Sequence, residues 1–412
     1  MENSADRVLL VGSYIDDEED FLYTMEELKN LAQSCELEVI GIITQKIKMI
    51  NARTYFGSGK VDEIKDFVEN NDIDIVVVND DLSASQTRNI QESIGCRVID
   101  RTVLILDIFA KRAKTKEAIL QVEIAQLQYL LPRIGLFSEN NNERLGLRGP
   151  GETRYELDRR KLEKRISQLE EELRIMVNNR QTQRKKRRKK EIPVVSLVGY
   201  TNSGKSTLLN TLLEFSVNCN EDKQVFAEDM LFATLETTTR QIVLENNHQF
   251  LVTDTVGFVS HLPHQLIKAF RSTLEEITES DLILHVIDIG NKNYEKQKQI
   301  TEKVLKEIGV EGIPIINVYN KIDLIECLTV EDGVYISAKR KANIDDLINE
   351  IEKNLFKNNK TVKMLIPYTN GHVYNYLKEN AYIINEDYLE KGIYITVELS
   401  DYLFQKYKHL VC

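Results

Sequence analysis

The sequence predicts an α/β protein with three folded parts. These are a small parallel α/β subdomain with a long helical hairpin, a larger α/β domain with a phosphate-binding loop, and a small α+β tail. Apolar strand patterns alternate with helical patterns over residues 1–100 and again over 192–358, which is typical of parallel sheets covered by helices. Between them, residues 101–180 keep a helical apolar period, and a glycine-rich phosphate loop directly follows the apolar run 194–198.

The length and composition favour globular domains. The 412 residues, 42% hydrophobic and 29% charged, suffice for about three domains. No apolar stretch is long enough to cross a membrane, and the first residues lack the layout of a secretion signal. The five cysteines form no CxxC pair, which favours reduced thiols. We therefore expect a cytoplasmic monomer without a membrane span, with a peripheral membrane-associated fraction as an alternative location.

The N-terminal subdomain is predicted over residues 1–100. Its apolar runs predict strands at 8–11, 39–43 and 73–78, and helical patterns lie near 19–34, 60–70 and 84–94. The sequence Gly57-Ser58-Gly59-Lys60 is half of a phosphate loop but lacks the first glycine at the required spacing. We predict a plain turn between strand and helix there, with a second nucleotide site as the alternative.

A helical hairpin is predicted over residues 101–180, with a tip loop at 132–151. The first helical pattern runs from Arg101 to Leu131, where Pro132 ends it. In the second helix, apolar residues at spacings of three, four and seven form a coiled-coil-like seam, namely Tyr155, Leu162, Ile166, Leu169, Leu173 and Met176. The hairpin leads into a basic linker at 181–191.

Charge is distributed unevenly along the chain. The formal net charge is −11, yet residues 154–190 hold fifteen Lys or Arg against six Asp or Glu and end in a run of seven cations at 184–190. Such a basic segment favours contact with nucleic-acid phosphates, with a solvated linker as the alternative for the run. The RNA-binding candidates in the hairpin are Arg144, Arg148, Arg159, Arg160, Lys164 and Arg165.

The phosphate loop predicts a nucleoside triphosphate site. Residues 199–206 read Gly-Tyr-Thr-Asn-Ser-Gly-Lys-Ser, and glycines at this spacing let successive backbone N–H groups point at phosphates. Lys205 is expected to reach the β- and γ-phosphates and Ser206 to bind Mg²⁺. The predicted contacts in this loop are Gly199, Tyr200, Thr201, Asn202, Ser203, Gly204, Lys205, Ser206 and Thr207.

Two further motifs predict that the nucleotide is GTP or GDP. Asp254 ends a strand and, with Thr255, Val256 and Gly257, forms a D-x-x-G loop; its carboxylate is expected to hold Mg²⁺ through water. Asn320, Lys321, Ile322 and Asp323 form an N-K-x-D motif, in which Asn320 is expected to tie this loop to the phosphate loop. The Asp323 carboxylate can accept from guanine N1–H and N2–H, which adenine lacks. Ser337, Ala338 and Lys339 follow, and the Ala338 N–H is expected to meet the guanine carbonyl. Together the motifs predict a P-loop NTPase fold of the G-domain type.

A nucleotide-dependent switch is predicted between Thr211 and Arg240. A threonine hydroxyl there would complete the Mg²⁺ shell when the γ-phosphate is present. Four threonines compete, namely Thr234, Thr237, Thr238 and Thr239, and spacing does not choose among them.

On these residues the chain resembles the HflX family of translation-associated GTPases. The resemblance rests on the sequences at 199–208, 232–236 and 254–258, on 261–264, and on Arg-Gly-Pro-Gly-Glu-Thr at 148–153. It implies that Thr234 is the Mg²⁺-binding switch threonine and that Phe232, Ala233, Thr234, Leu235 and Glu236 line the nucleotide. It also implies an N-terminal α/β subdomain, a helical hairpin and a G domain in this order. Independently of the resemblance, residues 361–412 predict a compact β-α-β-β tail, with strands near 362–366 and 393–399. The hairpin tip departs from the family's glycine-rich pattern, because residues 139–147 read Glu-Asn-Asn-Asn-Glu-Arg-Leu-Gly-Leu.

The resemblance further implies binding to the large ribosomal subunit or whole ribosome, and ribosome dissociation, rescue or recycling under stress, with a link to antibiotic resistance in some relatives.

Phe258 occupies the position at which many small GTPases orient water with glutamine, so slow hydrolysis is expected until a partner binds. His261 and His264 are read as switch-helix packing rather than as a catalytic base. The alternative function is a GTP-gated ribosome assembly or RNA-binding factor in which hydrolysis is incidental.

Overall fold

A computed structural model describes residues 5–136, 154–188, 192–217, 231–232, 238–260, 274–325 and 332–412. By internal contacts the chain divides into two compact units. The first contains residues 1–183, 228–236 and 259–272, and the second contains 184–227, 237–258 and 273–412. Both units contain parallel sheets with helices, so the predicted α/β fold class is confirmed.

The first unit begins with a four-stranded parallel sheet. Its strands are β1 (Arg7–Tyr14), β2 (Glu38–Lys46), β3 (Ile75–Val78) and β4 (Arg97–Asp100), in the order β2-β1-β3-β4. The connecting helices are α1 (Glu18–Ser34), α2 (Ser58–Asn71) and α3 (Ala84–Ile94). Val8 to Val11 are completely buried, as expected for a central strand covered on both faces. Ser83 and Gln86 form a capping box at the start of α3.

The helical hairpin differs from the prediction in two details. The pattern that begins at Arg101 forms two helices, α4 (Arg101–Arg112) and α5 (Lys116–Leu130), rather than one. Ala113 is extended, and the Thr115 hydroxyl accepts from the Ala118 N–H at 3.2 Å, so a side-chain cap starts α5 anew. The chain also does not enter a loop at Pro132, because a 3-10 turn occupies Leu131–Leu136. The rest of the predicted tip, including Arg144 and Arg148, lies outside the described residues.

Helix α6 (Arg154–Arg188) forms the second arm of the hairpin. Leu169, Leu173 and Met176 of the predicted seam pack with Leu120 and Ile124 of α5. The helix continues to Arg188, through most of the range predicted as a linker, since Lys and Arg are good helix formers. The use of 181–191 as a boundary between domains stays a prediction.

The second unit contains a six-stranded sheet in the order β10-β9-β8-β5-β7-β6, parallel except for the β6–β7 pair. Its strands are β5 (Val194–Val198), β6 (Thr238–Val243), β7 (Gln249–Asp254), β8 (Leu282–Asp288), β9 (Ile315–Asn320) and β10 (Val334–Tyr335). The described helices are α7 (Lys205–Glu214), α8 (Tyr294–Ile308) and α9 (Ile344–Leu355). The core between sheet and helices is aliphatic, with Leu208, Leu212, Leu284 and Leu347 fully buried.

The C-terminal tail also belongs to the second unit. It consists of β11 (Lys360–Ile366), α10 (Gly371–Asn380), β12 (Tyr382–Leu389), β13 (Gly392–Leu399) and α11 (Asp401–Tyr407). The strands form an antiparallel sheet in the order β11-β13-β12. The predicted β-α-β-β arrangement is therefore present, and α11 follows it. None of the helices in the described ranges combines the length and apolarity needed to cross a membrane.

Candidate guanine-nucleotide site

The phosphate loop connects the buried strand β5 to helix α7. Gly204 precedes the helix with φ +93°, a conformation that residues with a side chain rarely adopt. Gly257 is needed for a different reason. A Cβ on Gly257 would lie 2.8 Å from Thr201 and 3.0 Å from Lys205 Nζ, so only glycine lets the D-x-x-G loop approach the phosphate loop this closely.

Lys205 is buried, and its ammonium lies inside the loop. It donates to the carbonyls of Gly199 at 3.1 Å and Tyr200 at 2.7 Å. Burial lowers its pKa to about 8, although Asp254 opposes the shift. Thr201 and Ser203 have buried hydroxyls that find no hydrogen-bond partner among the described residues. Since buried polar groups are normally paired, the loop has the chemistry of a site that binds a polar ligand.

Ser206 and Asp254 supply oxygen atoms that suit Mg²⁺. The Ser206 hydroxyl donates to Asp254 Oδ2 at 2.6 Å, which brings together the two side chains predicted to bind the ion. Hydroxyl and carboxylate oxygens are hard ligands of the kind that Mg²⁺ prefers. The residues present therefore fit the ion, and Mg²⁺ is generally used by P-loop GTPases.

The D-x-x-G loop is fixed by its backbone. The Thr201 N–H donates to the Phe258 carbonyl at 2.8 Å, and the Phe258 N–H donates to the Gly199 carbonyl at 3.2 Å. Thr255 adds a hydrogen bond from its hydroxyl to the Leu197 carbonyl at 2.7 Å. The Phe258 ring is buried, with 2% of its surface exposed. It serves as packing and offers no polar atom to a water molecule.

Asn320 ties the base-recognition loop to the phosphate loop, as the sequence predicts. Its amide nitrogen donates to the Ser203 carbonyl at 2.9 Å, and its amide oxygen accepts from the Ala338 N–H at 3.0 Å. The second bond differs from our expectation, because the Ala338 N–H was assigned to the guanine carbonyl and is here donated to Asn320. Sequence spacing places the two residues near each other but does not identify the acceptor.

Asp323 is prepared as a hydrogen-bond acceptor. The Ser337 hydroxyl donates to its carboxylate, and this bond lowers the Asp323 pKa. Lys321 forms an ion pair with Asp288 at 2.7 Å. Asp288 ends β8 next to Asn320 in β9, yet sequence reasoning missed it because no motif marks that strand. The sequence signal that could have identified Asp288 is its position as an acidic residue at the carboxyl end of a strand. That strand lies between the two strands that lead into the phosphate-loop and N-K-x-D motifs.

The switch motif is described only at Phe232. The Phe232 ring packs edge-to-face against Phe109 of α4, with centroids 4.7 Å apart, and both residues belong to the first unit. The predicted role of Phe232 in lining the nucleotide stays a prediction. Ala233, Thr234, Leu235 and Glu236 lie outside the described residues, as do His261 and His264.

The remaining predicted positions lie elsewhere on the two units. Arg159, Arg160, Lys164 and Arg165 are exposed on α6. Arg159 pairs with Glu163 at 2.9 Å, and Arg165 pairs with Glu123 at 2.8 Å. Gly57 to Lys60 form the turn that starts α2, as predicted.

The fold and the site define a P-loop GTPase, and comparison with known proteins identifies the family. Residues 23–110 match the family described as GTP-binding GTPase N-terminal, 112–187 match GTP-binding GTPase Middle Region, and 194–321 match 50S ribosome-binding GTPase. The chain belongs to the GTPase HflX family, which confirms the resemblance seen in the sequence. It is accordingly an enzyme that hydrolyses GTP.

Two relatives named GTPase HflX support this assignment over most of the chain. The GTPase HflX of Caldanaerobacter subterraneus subsp. tengcongensis is 46% identical over 98% of this chain and 94% of its own length. That of Escherichia coli is 38% identical over 86% of this chain and 84% of its own length. A GTP-binding protein from Sulfolobus solfataricus, solved in complex with GDP, is 26% identical and covers 85% of this chain and 99% of its own, with a TM-score of 0.45.

Proposed function

We propose that this GTPase binds the large ribosomal subunit and that GTP hydrolysis times its action in ribosome dissociation, rescue or recycling in the cytoplasm under stress. The observation that carries the proposal is the exposed cationic face of α6, where Arg160 and Lys164 stand one turn apart. The match of residues 194–321 to a family described as 50S ribosome-binding GTPase supports the same partner. The link to antibiotic resistance belongs to this proposal and has no support of its own in the described residues.

The chemistry assigned to the site follows from its residues. Lys205 and the backbone N–H groups of the phosphate loop bind the phosphates, and Asp323 selects guanine. Ser206 and Asp254 would hold Mg²⁺, with Thr234 as the proposed switch ligand. When bound, the ion neutralises the charge that develops on the phosphate oxygens.

Slow intrinsic hydrolysis follows from the loop after Asp254. Phe258 has no polar side-chain atom, so the attacking water must be positioned by backbone groups or by the partner. We therefore expect large ribosomal subunits to raise the GTP turnover rate at least about tenfold. Phosphate release should be measured with the full chain alone, with large subunits and with small subunits. Equal rates in all three mixtures would contradict the proposal.

Charge-reversal variants test the surface that carries the proposal. Arg160→Glu with Lys164→Glu should abolish most of the stimulation by large subunits and leave the basal rate unchanged, because phosphate contacts depend on positive charge. Lys303→Glu with Lys306→Glu, on the exposed side of α8, provides a matched control for the change in net charge. Loss of stimulation in both pairs would show a nonspecific charge effect and count against α6.

The alternative, in which GTP only orders a surface for ribosome assembly, makes a different prediction for Asp254→Ala. If hydrolysis drives the cycle, this variant should bind large subunits but fail to separate ribosomes over several rounds. Repeated subunit splitting without phosphate release would favour the alternative. Sucrose-gradient sedimentation with parallel phosphate detection distinguishes these outcomes.

A further inference from the structure

The second unit contains a cleft whose use nothing in the GTPase cycle explains. The cleft encloses about 620 Å³, which is within the range of small-molecule sites. One wall comes from the β6–β7 region and the end of α9, and the other comes from the C-terminal tail. None of the nucleotide-motif residues that the structure describes lines the cleft.

The aromatic lining comes mainly from the tail. Tyr376 of α10, Tyr382 of β12 and Tyr402 of α11 line the cleft, and their hydroxyls form no hydrogen bond to another described residue. Tyr376 and Tyr402 are 38% and 48% exposed, so their rings are accessible from solvent. Aromatic rings presented in this way are suited to stacking on a flat ligand.

Side-chain amides supply the polar part of the lining. Gln249 accepts from Gln241 at 2.8 Å, which leaves the Gln249 amide nitrogen for another partner. Asn359 also lines the cleft, and its amide has no partner among the residues that the structure describes. Amides offer donors and acceptors together, which matches the edges of nucleobases.

His248 holds the cleft in shape. Its Nδ1 lies 2.6 Å from Glu352 Oε1, and its ring stacks on Phe356 with centroids 4.1 Å apart. Its Nε2 lies 3.6 Å from Glu398 of β13. The imidazole therefore bonds to α9 in one wall and lies beside β13 of the tail in the other, which favours a cleft that is formed before a ligand binds.

The charges decide which part of a nucleotide enters. Lys and Arg are absent from the described residues that line the cleft, and Glu398 is present, so phosphate would be repelled there. A cation lies next to the lining instead: Lys406 sits over the Tyr376 ring at 4.6 Å and lies 5.9 Å from the Tyr402 ring. This arrangement suits a base inside and a phosphate backbone outside.

We infer that this cleft binds an unpaired nucleobase of an RNA strand, stacked on the tyrosines Tyr376 and Tyr402. A base within RNA fits better than a free nucleotide, because the described residues that line the cleft include no cation and no glycine-rich loop to hold terminal phosphates. The inference deepens the proposed function and rests on it for the source of the RNA, which would be ribosomal. It assigns a role to the tail that is separate from the GTP site.

Binding of a labelled RNA oligonucleotide to the full GDP-saturated chain tests the inference. Fluorescence anisotropy should be measured with a single-stranded mixed-sequence 12-nucleotide probe, roughly one site size, and with the same sequence as a duplex. Tyr402→Ala and Tyr376→Ala should each weaken single-strand binding at least about tenfold, since stacking on one aromatic ring is worth this much. Tyr402→Phe should bind like the parent, because the ring remains.

Tyr388→Ala is the matched control, because Tyr388 is an exposed tyrosine of the tail, at 63% exposure, that does not line the cleft. It should change the affinity by less than about twofold. Equal losses in Tyr388→Ala and the cleft variants, or no loss in the cleft variants, would overturn the inference. Preferred binding of the duplex would also overturn it.

Two further experiments distinguish an RNA strand from a small ligand and test the inference separately from the proposed function. AMP, CMP and UMP should fail to displace the probe at concentrations where unlabelled oligonucleotide does. Displacement by a monophosphate or by a neutral oligosaccharide at equal concentration would assign the cleft to a small ligand and overturn the RNA reading. Sedimentation with large ribosomal subunits is scored separately: tyrosine-dependent oligonucleotide binding without subunit binding contradicts the proposed function alone.

Discussion

The guanidinium of Arg101 donates to the backbone carbonyl of Ser260 at 3.0 Å. The Ser260 N–H in turn donates to Glu27 at 3.4 Å, and Arg101 and Glu27 form an ion pair with side-chain exposures of 2% and 5%. All three residues lie in the first unit. Ser260 is three residues beyond Gly257. One buried ion pair therefore binds both the backbone N–H and the backbone carbonyl of the residue that follows the D-x-x-G loop so closely.

Removing Arg101 should therefore be costly. Arg101→Met leaves the Glu27 carboxylate buried without its partner, and we expect the free energy of unfolding to fall by about 3–5 kcal/mol. Glu27→Leu with Arg101→Met removes both charges and should be less destabilised than the single variant. Urea denaturation of the GDP-bound proteins measures the difference.

Amide exchange at Ser260 distinguishes this clamp from general packing. In the double variant the Ser260 N–H has lost its acceptor, so its hydrogen exchange should accelerate while that of Val8 to Val11 in β1 stays slow. An unchanged Ser260 rate, or a double variant less stable than Arg101→Met, would contradict the assignment.

His285 gives the second unit a pH dependence. It is buried in β8, and burial, followed by the charges of Lys298 and Lys205, lowers its pKa to about 4. The unfolded chain, with a histidine pKa of about 6.5, therefore binds more protons between these values. The contribution of the neutral His285 to the free energy of unfolding is fully present above about pH 6.5. It is lost as the pH decreases towards 4, and amounts to about 3 kcal/mol.

His285→Gln should remove this contribution. The free energy of unfolding of the variant should decline less steeply between pH 6.5 and 4 than that of the parent, measured by chemical denaturation at a series of pH values. His372→Gln changes an exposed histidine and should leave the slope as it is. Parallel curves for all three proteins would refute the role of His285.

The parts of the site that could be predicted are those whose residues lie close together in the sequence and bind the same ligand. Asn320 and Asp323 fall in a single motif, and the Asn320 bond to the phosphate loop was expected. Asp288 was missed because one aspartate at the end of an apolar strand is not distinctive. Arg101 was missed for a different reason, since its contacts to Glu27 and Ser260 span 74 and 159 residues. Only the fold brings them together.

Helix boundaries were harder to predict than helix positions. The break between α4 and α5 depends on one hydroxyl cap at Thr115, within a region where the apolar period hardly changes. The all-polar residues 181–191 predict a linker, whereas α6 continues to Arg188. The spacing of apolar residues along a helix reflects its buried face. It therefore gives no signal where a helix extends beyond the elements against which it packs.

The contact between His248 and Glu352 should contribute to the stability of the second unit. Burial alone would raise the Glu352 pKa, but hydrogen bonds from His248 and Asn246 outweigh it and lower the pKa. The carboxylate therefore stabilises the fold above about pH 4.5, and this contribution is lost as the pH falls through the lowered value. Glu352→Gln should cost about 1 kcal/mol at pH 7, since the carboxylate is partly exposed.

Glu350 provides the comparison, because it lies on the same helix and pairs with Lys353 at 3.3 Å on the surface. Glu350→Gln should change the unfolding free energy by less than about 0.5 kcal/mol. Thermal and urea unfolding at a series of pH values below 7 should show a Glu352→Gln effect that shrinks as the pH falls through the lowered Glu352 pKa. An effect that stays constant over this whole series would mean that packing, not charge, is responsible.

Asp323 offers the sharpest test of the nucleotide site. Its carboxylate, held by the Ser337 hydroxyl, is predicted to accept from both N1–H and the 2-amino group of guanine. Asp323→Asn replaces one acceptor by a donor, so one guanine donor faces another donor. An unpaired polar group costs about 2 kcal/mol, and GTP and GDP affinity should therefore fall about thirtyfold. Xanthine has a carbonyl in place of the 2-amino group, and the variant should bind xanthosine diphosphate more tightly than the parent does.

Titration with fluorescent analogues of the two diphosphates measures this exchange of preference. Ser337→Ala keeps the carboxylate but removes its support, so it should weaken guanine binding without improving xanthine binding. The contrast between the two variants separates recognition of the base by Asp323 from positioning of its carboxylate by Ser337. A variant Asp323→Asn that loses both nucleotides equally would show a damaged loop rather than an altered base edge, and the assignment of Asp323 to guanine would then have to be abandoned.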